Sequence, residues 1–129
     1  MALNKRHISF LLLCLYVIVI CILCFIRPSE LPDTPLELWG IGIDKIVHFL
    51  MFLPFPILAY STLSAKAKYI MVIFITGCIF AIGTEYIQGL TDYRSFEYGD
   101  ITADISGLLS GSIVTLIHTL LKKSKNNDK

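Results

Sequence analysis

Asp44, His48, Glu85, Gln88, Asp100 and Asp104 lie within, or at the rim of, stretches of chain apolar enough to cross a membrane. An ionisable group in a bilayer is costly, so each of these asks for a partner or a function. Together with Lys45 and Arg94 they offer four carboxylates, an imidazole, an amide and two cations. Three chemistries fit that set. In the first, the groups satisfy one another and lock helices together, at about 1 kcal/mol per interhelical contact. In the second, they bind an amphiphile. Arg94 pairs with a phosphate or carboxylate through its planar fork, while His48, Glu85 and Gln88 hydrogen-bond sugar or amide groups. In the third, they catalyse, with His48 as general acid or base oriented by Asp44 or Asp104, and Glu85 as a further candidate. A His with carboxylates also suits a divalent cation. No His-Glu-x-x-His or paired-His spacing is present, however, so no metal or other cofactor is expected.

The elements that must position these groups follow from composition. The chain has 129 residues, 55% of them apolar, and a mean hydropathy of +0.71. A span needs about 20 mostly apolar residues. Four stretches qualify, at 8–26, 45–64, 69–90 and 101–121. The expectation is an all-α integral membrane bundle of four transmembrane helices, in one domain covering 1–129. A net charge of +1 with no large basic patch argues against a nucleic-acid partner. The first apolar run is longer than the core of a signal peptide, usually about 7–15 residues, and reads as an uncleaved helix. Cys14, Cys21, Cys24 and Cys78 all fall in spans and read as small apolar side chains.

Lys and Arg in short flanks set orientation. Lys5 and Arg6 precede span one, Lys66 and Lys68 separate spans two and three, and Lys122, Lys123, Lys125 and Lys129 follow span four. With four spans these regions share one side. They hold eight of the eleven basic residues, so both termini are expected to be cytoplasmic. The outer loops are then 27–44 and 91–100. Asp44 and His48 open span two, Glu85 and Gln88 close span three, and Asp100 and Asp104 open span four, all from outside. At 1.5 Å per residue, His48, Glu85 and Asp104 lie roughly 6–8 Å below the outer interface.

Spacing narrows the geometry. Asp44 and His48, like Asp100 and Asp104, are four apart and share a helix face. Gly107 and Gly111 continue the stripe of span four and allow another helix to approach closely. Pro54 and Pro56 are expected to kink span two by freeing the carbonyls of Leu50 and Phe52. Pro28, Pro32 and Pro35 predict an irregular first outer loop. Trp39, Tyr86, Tyr93, Phe96 and Tyr98 suit an interfacial belt. His7 and His118 read as interfacial, and Glu30, Asp33 and Glu37 as solvated. Arg94, the only basic residue of the second outer loop, is expected to act as counter-ion to the carboxylates or as an anion-binding arm.

The run Asp44-Lys45-x-x-His48-x-x-x-Phe52, then Glu85-x-x-Gln88, Arg94, and Asp100-x-x-x-Asp104-x-x-Gly107-x-x-x-Gly111 resembles the VanZ-like family over residues 40–115. That family is named for a small membrane protein associated with teicoplanin resistance. Its pattern more often carries Tyr at the position of Phe52 and Asn at that of Asp104. The resemblance implies a bacterial cytoplasmic membrane protein of the cell envelope. Its partners would be membrane lipids, and a lipid-linked cell-wall precursor or a glycopeptide is a further candidate. It implies no reaction. The function expected is binding of a lipid or cell-wall-related amphiphile at the outward polar cluster. The alternatives are an enzyme acting on a lipid-linked substrate and a purely structural network.

Overall fold

The computed structural model describes residues 5–26, 37–38, 40–63 and 66–127. Helix α1 spans Lys5–Phe25. Two-residue strands β1 (Glu37–Leu38) and β2 (Ile41–Gly42) follow, then α2 (Ile43–Phe52), α3 (Pro54–Leu63), a 3-10 turn at Ala67–Tyr69, α4 (Ile70–Gln88) and α5 (Tyr98–Asn127). Four segments are long and apolar enough to cross a membrane: His7–Phe25, Ile43–Leu63, Ala67–Gln88 and Tyr98–Asn126. The protein is therefore an all-α, multi-pass membrane bundle. Pro28, Pro32, Pro35, Trp39, Glu30 and Asp33 fall outside the described residues. The part of the first loop that is described holds a small antiparallel ladder, with Leu38 opposite Ile41. Gly40 turns it at φ 77, a conformation that a side chain would strain.

The second span is two helices, divided at Leu53. Pro54 has no N–H for the Leu50 carbonyl, and Pro56 has none for that of Phe52. The Leu53 N–H still reaches the Phe49 carbonyl at 3.1 Å, so α2 closes its last turn before the break. The Tyr16 hydroxyl of α1 donates to the Met51 carbonyl beside that break.

Spans consecutive in sequence run in opposite directions. Thr62, late in α3, donates to the Ser9 carbonyl, early in α1, at 3.1 Å. At the other end the Cys24 carbonyl of α1 accepts from Gln88 of α4 at 2.8 Å. Helix α5 packs against α2, α3 and α4 and is the spine of the bundle. Its approach to α2 depends on glycine. A Cβ at Gly107 would collide with the Phe49 carbonyl, and one at Gly111 with the Leu53 carbonyl, both of them backbone. The stripe of small residues on α5 thus faces α2.

Beneath the polar end lies an apolar core of Ile20, Cys24, Met51, Phe52, Phe55, Ala59, Ile73, Ala81 and Leu108. Phe80 bridges it, with its ring 5.8 Å from that of Phe52 and 6.2 Å from that of Phe55. Large apolar side chains left exposed, such as Leu11, Leu15 and Ile22 on α1 or Ile79 and Ile82 on α4, form the surface that lipid covers. Hydroxyls within the spans mostly bond to their own helix. Ser106, Ser110, Thr115 and Thr119 each donate to the carbonyl four residues back.

Candidate functional site

The polar end gathers the starts of α2 and α5 with the end of α4. On α2, the four-residue spacing puts Lys45 one turn nearer the surface than Phe49, and Asp44 one turn above His48. Asp44 is therefore exposed while His48 is buried. On α5, both Asp100 and Asp104 are buried, at 4% and 0% exposure.

Two groups form around these residues. At the rim, the Lys45 ammonium donates to Asp44 Oδ2 at 2.7 Å, Glu97 Oε2 at 3.1 Å and Asp100 Oδ1 at 3.2 Å. One cation thus serves three carboxylates. Deeper in the bundle, His48 Nδ1 lies 3.0 Å from Asp104 Oδ1. Its Nε2 lies 3.7 Å from Asp100 Oδ2, too far for a hydrogen bond. Glu85 joins from α4. Its Oε1 accepts the Glu97 backbone N–H at 2.7 Å, and its Oε2 is buried with no partner among the described residues. One ligand atom each from His48, Glu85 and Asp100 lies within 4.8 Å of the others.

Asp44, Lys45, His48, Glu85, Asp100 and Asp104 are thus brought together. Gln88 is not part of that set. Its amide nitrogen turns to the Cys24 carbonyl, tying α4 to α1, and its Oε1 is buried and unpartnered. Arg94 differs from expectation. Among the described residues it makes no ion pair with a carboxylate; the counter-ion is Lys45. Instead the Arg94 Nε is buried, with no partner among the described residues. The turn before α5 brings the Glu97 N–H to Glu85 and leaves Arg94, three residues earlier, elsewhere.

Glu97 is the member of these groups that spacing did not single out. Its side chain joins the rim group and its backbone holds the deeper one. Sequence offered only its place as an acidic loop residue ahead of α5. Tyr86, Tyr93, Phe96 and Tyr98 are exposed around this end. Phe96 and Tyr98 pack edge to face at 5.1 Å. His7 and His118 are exposed and belong to neither group.

Beside the rim, a cleft of about 420 Å³ opens between α2 and α5. Ile41, Ile46, Phe49, Ala103 and Ser106 line it, and Lys45 stands in its wall. Lys45 therefore borders both an apolar groove and a cluster of carboxylates.

No family model matches the chain. Nor does a solved structure match it significantly. An uncharacterized protein of Schizosaccharomyces pombe is 29% identical to it over 84 residues, which is 64% of this chain and 50% of the yeast protein. The chain thus spans about half the length of that relative, to which it is similar at a distance that shows no shared family.

Proposed function

We propose that the chain is a VanZ-like membrane protein that holds an amphiphile at its polar end, with the headgroup at the Lys45 rim and an acyl chain in the cleft between α2 and α5. The observation that carries this reading is the position of Lys45, in the wall of an apolar cleft and bound to three carboxylates. A ligand with one polar and one apolar end meets both surfaces at once. A relative in a fission yeast favours a headgroup common to many membranes over one confined to bacterial cell walls. A bacterial envelope setting and a link to glycopeptide susceptibility remain part of the proposal through the VanZ-like pattern alone.

Orientation belongs to the same reading. The basic flanks at 5–6, 66–68 and 122–129 put both termini in the cytoplasm, and the polar end then faces the outer leaflet. Thiol labelling of Ser95→Cys in intact cells, in a background without the four native cysteines, tests it. Labelling of Lys66→Cys in place of Ser95→Cys would reverse the topology.

Catalysis is a second reading, favoured by the buried His48–Asp104 pair, which fixes the imidazole tautomer as a general base requires. Lipid retention tests the first. Native mass spectrometry of the purified protein should show a lipid adduct that Ala103→Trp, filling the cleft, removes while the protein stays folded. Equal retention by wild type and Ala103→Trp would sink the amphiphile reading and leave the polar cluster a structural network or a catalytic one.

A further inference from the structure

Among the described residues, five carboxylates (Asp44, Glu85, Glu97, Asp100 and Asp104) crowd this end of the bundle, and a single ammonium, Lys45, is paired with them. That ammonium sits in the rim group. The deeper group holds the most buried acids, and among the described residues the one lysine or arginine that touches it is Lys45, on the outer oxygen Oδ1 of Asp100. Buried negative charge in a low-dielectric interior must be neutralised by a proton or by a cation.

The arrangement of the deeper group discriminates between these. Each of its three inward residues has one atom in a hydrogen bond and a second potential ligand atom outside it, and one ligand atom from each lies within 4.8 Å of the others. His48 Nδ1 lies 3.0 Å from Asp104 Oδ1; the tautomer that donates from Nδ1 to this carboxylate leaves the Nε2 lone pair free. Lys45 holds Asp100 Oδ1 at 3.2 Å, which leaves Oδ2 turned toward Nε2 at 3.7 Å. The Glu97 N–H holds Glu85 Oε1 at 2.7 Å, which leaves Oε2. Glu85 is 1% exposed, and this Oε2 is buried and unpartnered. Metal-binding histidines and carboxylates are oriented in this way, by an outer partner on the atom that does not bind. The separation of His48 from Asp100 fits as well. Ligands about 2.1 Å from a tetrahedral ion stand about 3.4 Å apart. The observed 3.7 Å is close to that and too long for a direct bond.

We infer that His48, Glu85 and Asp100 form a binding site for a divalent transition-metal ion, with Asp104, Lys45 and the Glu97 backbone as its orienting partners. An imidazole with two carboxylates suits Zn²⁺ or Mn²⁺, whereas Mg²⁺ and Ca²⁺ favour all-oxygen sets. Three protein ligands leave a coordination position open, the pattern of sites that take water or a substrate oxygen. No motif announces the site because its ligands come one from each of three helices. The ion needs no lipid, so this inference and the amphiphile reading stand or fall separately.

The test uses full-length protein in detergent, stripped with chelator and titrated with Zn²⁺ and, separately, Mn²⁺. Bound metal is counted by elemental analysis after desalting, and thermal unfolding is followed in parallel. We expect one equivalent per chain, a Kd of about 10 µM or tighter for at least one of the two ions, and a higher unfolding temperature with that ion. Glu85→Gln and His48→Gln should each weaken binding at least about tenfold. Asp104→Asn, which alters only the orienting partner, should weaken it about 10–100-fold while the ion-free protein unfolds as wild type does. A His7→Gln/His118→Gln double variant, which removes the two exposed histidines, should bind normally. If the ligand variants prove unstable, the wild-type titration and the double variant decide alone. The site is overturned if wild type binds neither ion stoichiometrically, if binding disappears with His7 and His118, or if folded Glu85→Gln and His48→Gln bind like wild type.

Discussion

Asp100 belongs to two groups that share its carboxylate and differ in what stands at their centres. On its Oδ1 side, Asp44 and Glu97 complete a ring filled by the Lys45 ammonium. On its Oδ2 side, His48 and Glu85 complete a ring with no such charge, and Asp104 supports it from behind. The rim group is half-exposed, its Asp44 and Glu97 side chains at 45% and 48%. The deeper one is sealed, with His48, Glu85 and Asp100 at 4%, 1% and 4%. Water can solvate the first group; only protein, a proton or a bound cation can satisfy the second. A lysine on a flexible four-carbon stem completes the group nearer water, because its head can reach the surface while its stem covers apolar area. The deeper ring, one turn further in, is built from short side chains and an imidazole. The difference teaches that acidic residues close together carry little meaning until the cation among them is identified.

Both groups depend on α5 lying against α2, so the largest effect should come from separating the helices. In Gly107→Val a side chain would meet the Phe49 carbonyl and the Leu53 amide, backbone that cannot yield as a side chain would. We expect a loss of about 3 kcal/mol or more in detergent unfolding, together with loss of both lipid adduct and metal binding. Wild-type stability in Gly107→Val would mean that the helices are not in close contact here, and the comparison of the two groups would lose its basis.

A smaller effect is expected from making the rim resemble the deeper group. Lys45→Met keeps the apolar stem and removes the charge, leaving Asp44, Glu97 and buried Asp100 without a cation. Breaking a fully buried pair costs about 3–5 kcal/mol. Lys45 is a third exposed and two of its partners half-exposed, so about 2 kcal/mol is the expected loss, partly recovered by adding Asp100→Asn. The three carboxylates of the variant lie within 4.8 Å of one another. Ca²⁺ at about 1 mM should therefore stabilise Lys45→Met and not the wild type. Thermal unfolding with and without Ca²⁺ reads this directly. Equal responses of the two proteins would show that the ammonium is not what keeps ions out of the rim.

Much of this end was legible in the chain. Asp44 with His48, and Asp100 with Asp104, are spaced to share faces, and both pairs meet across α2 and α5. Gly107 and Gly111 mark the face that meets α2, and Pro54 and Pro56 mark the break. Gln88 was misplaced for a geometric reason. Three residues advance about 300° around a helix, so Glu85 and Gln88 point about 60° apart. That is enough for one to face α5 and the other α1, and only the packing of α1 decides it. The choice of Lys45 over Arg94 as counter-ion was equally hidden. It depends on the path of the turn at 91–97, which hydropathy does not encode. Residues in a helix inherit directions from their neighbours, whereas Arg94 inherits none.

The smallest expected effect, and the sharpest, separates the two roles of Glu97. Its carboxylate is about half exposed and shares Lys45 with two other acids, so Glu97→Gln should cost at most about 0.5 kcal/mol. The backbone N–H that holds Glu85 Oε1 at 2.7 Å survives that change. Glu97→Pro removes the N–H as well. Its carbonyl still receives the N–H groups of Asp100 and Ile101 at 3.1 and 3.4 Å, so α5 can begin as before. Proline is also tolerated at a helix start. The proline variant should then be less stable than the glutamine variant by about 1–2 kcal/mol, the cost of leaving a buried carboxylate oxygen without its donor. Glu85→Ala should abolish the difference between them, because no carboxylate is left to be orphaned. A double-mutant cycle of detergent unfolding measures the coupling. Coupling near zero would mean that Glu85 is held by something other than the turn, and the two groups would then be neighbours without a physical link. Coupling of the expected size makes residue 97 the hinge pin between a solvated ring closed by its own lysine and a buried ring that needs a proton or a bound cation.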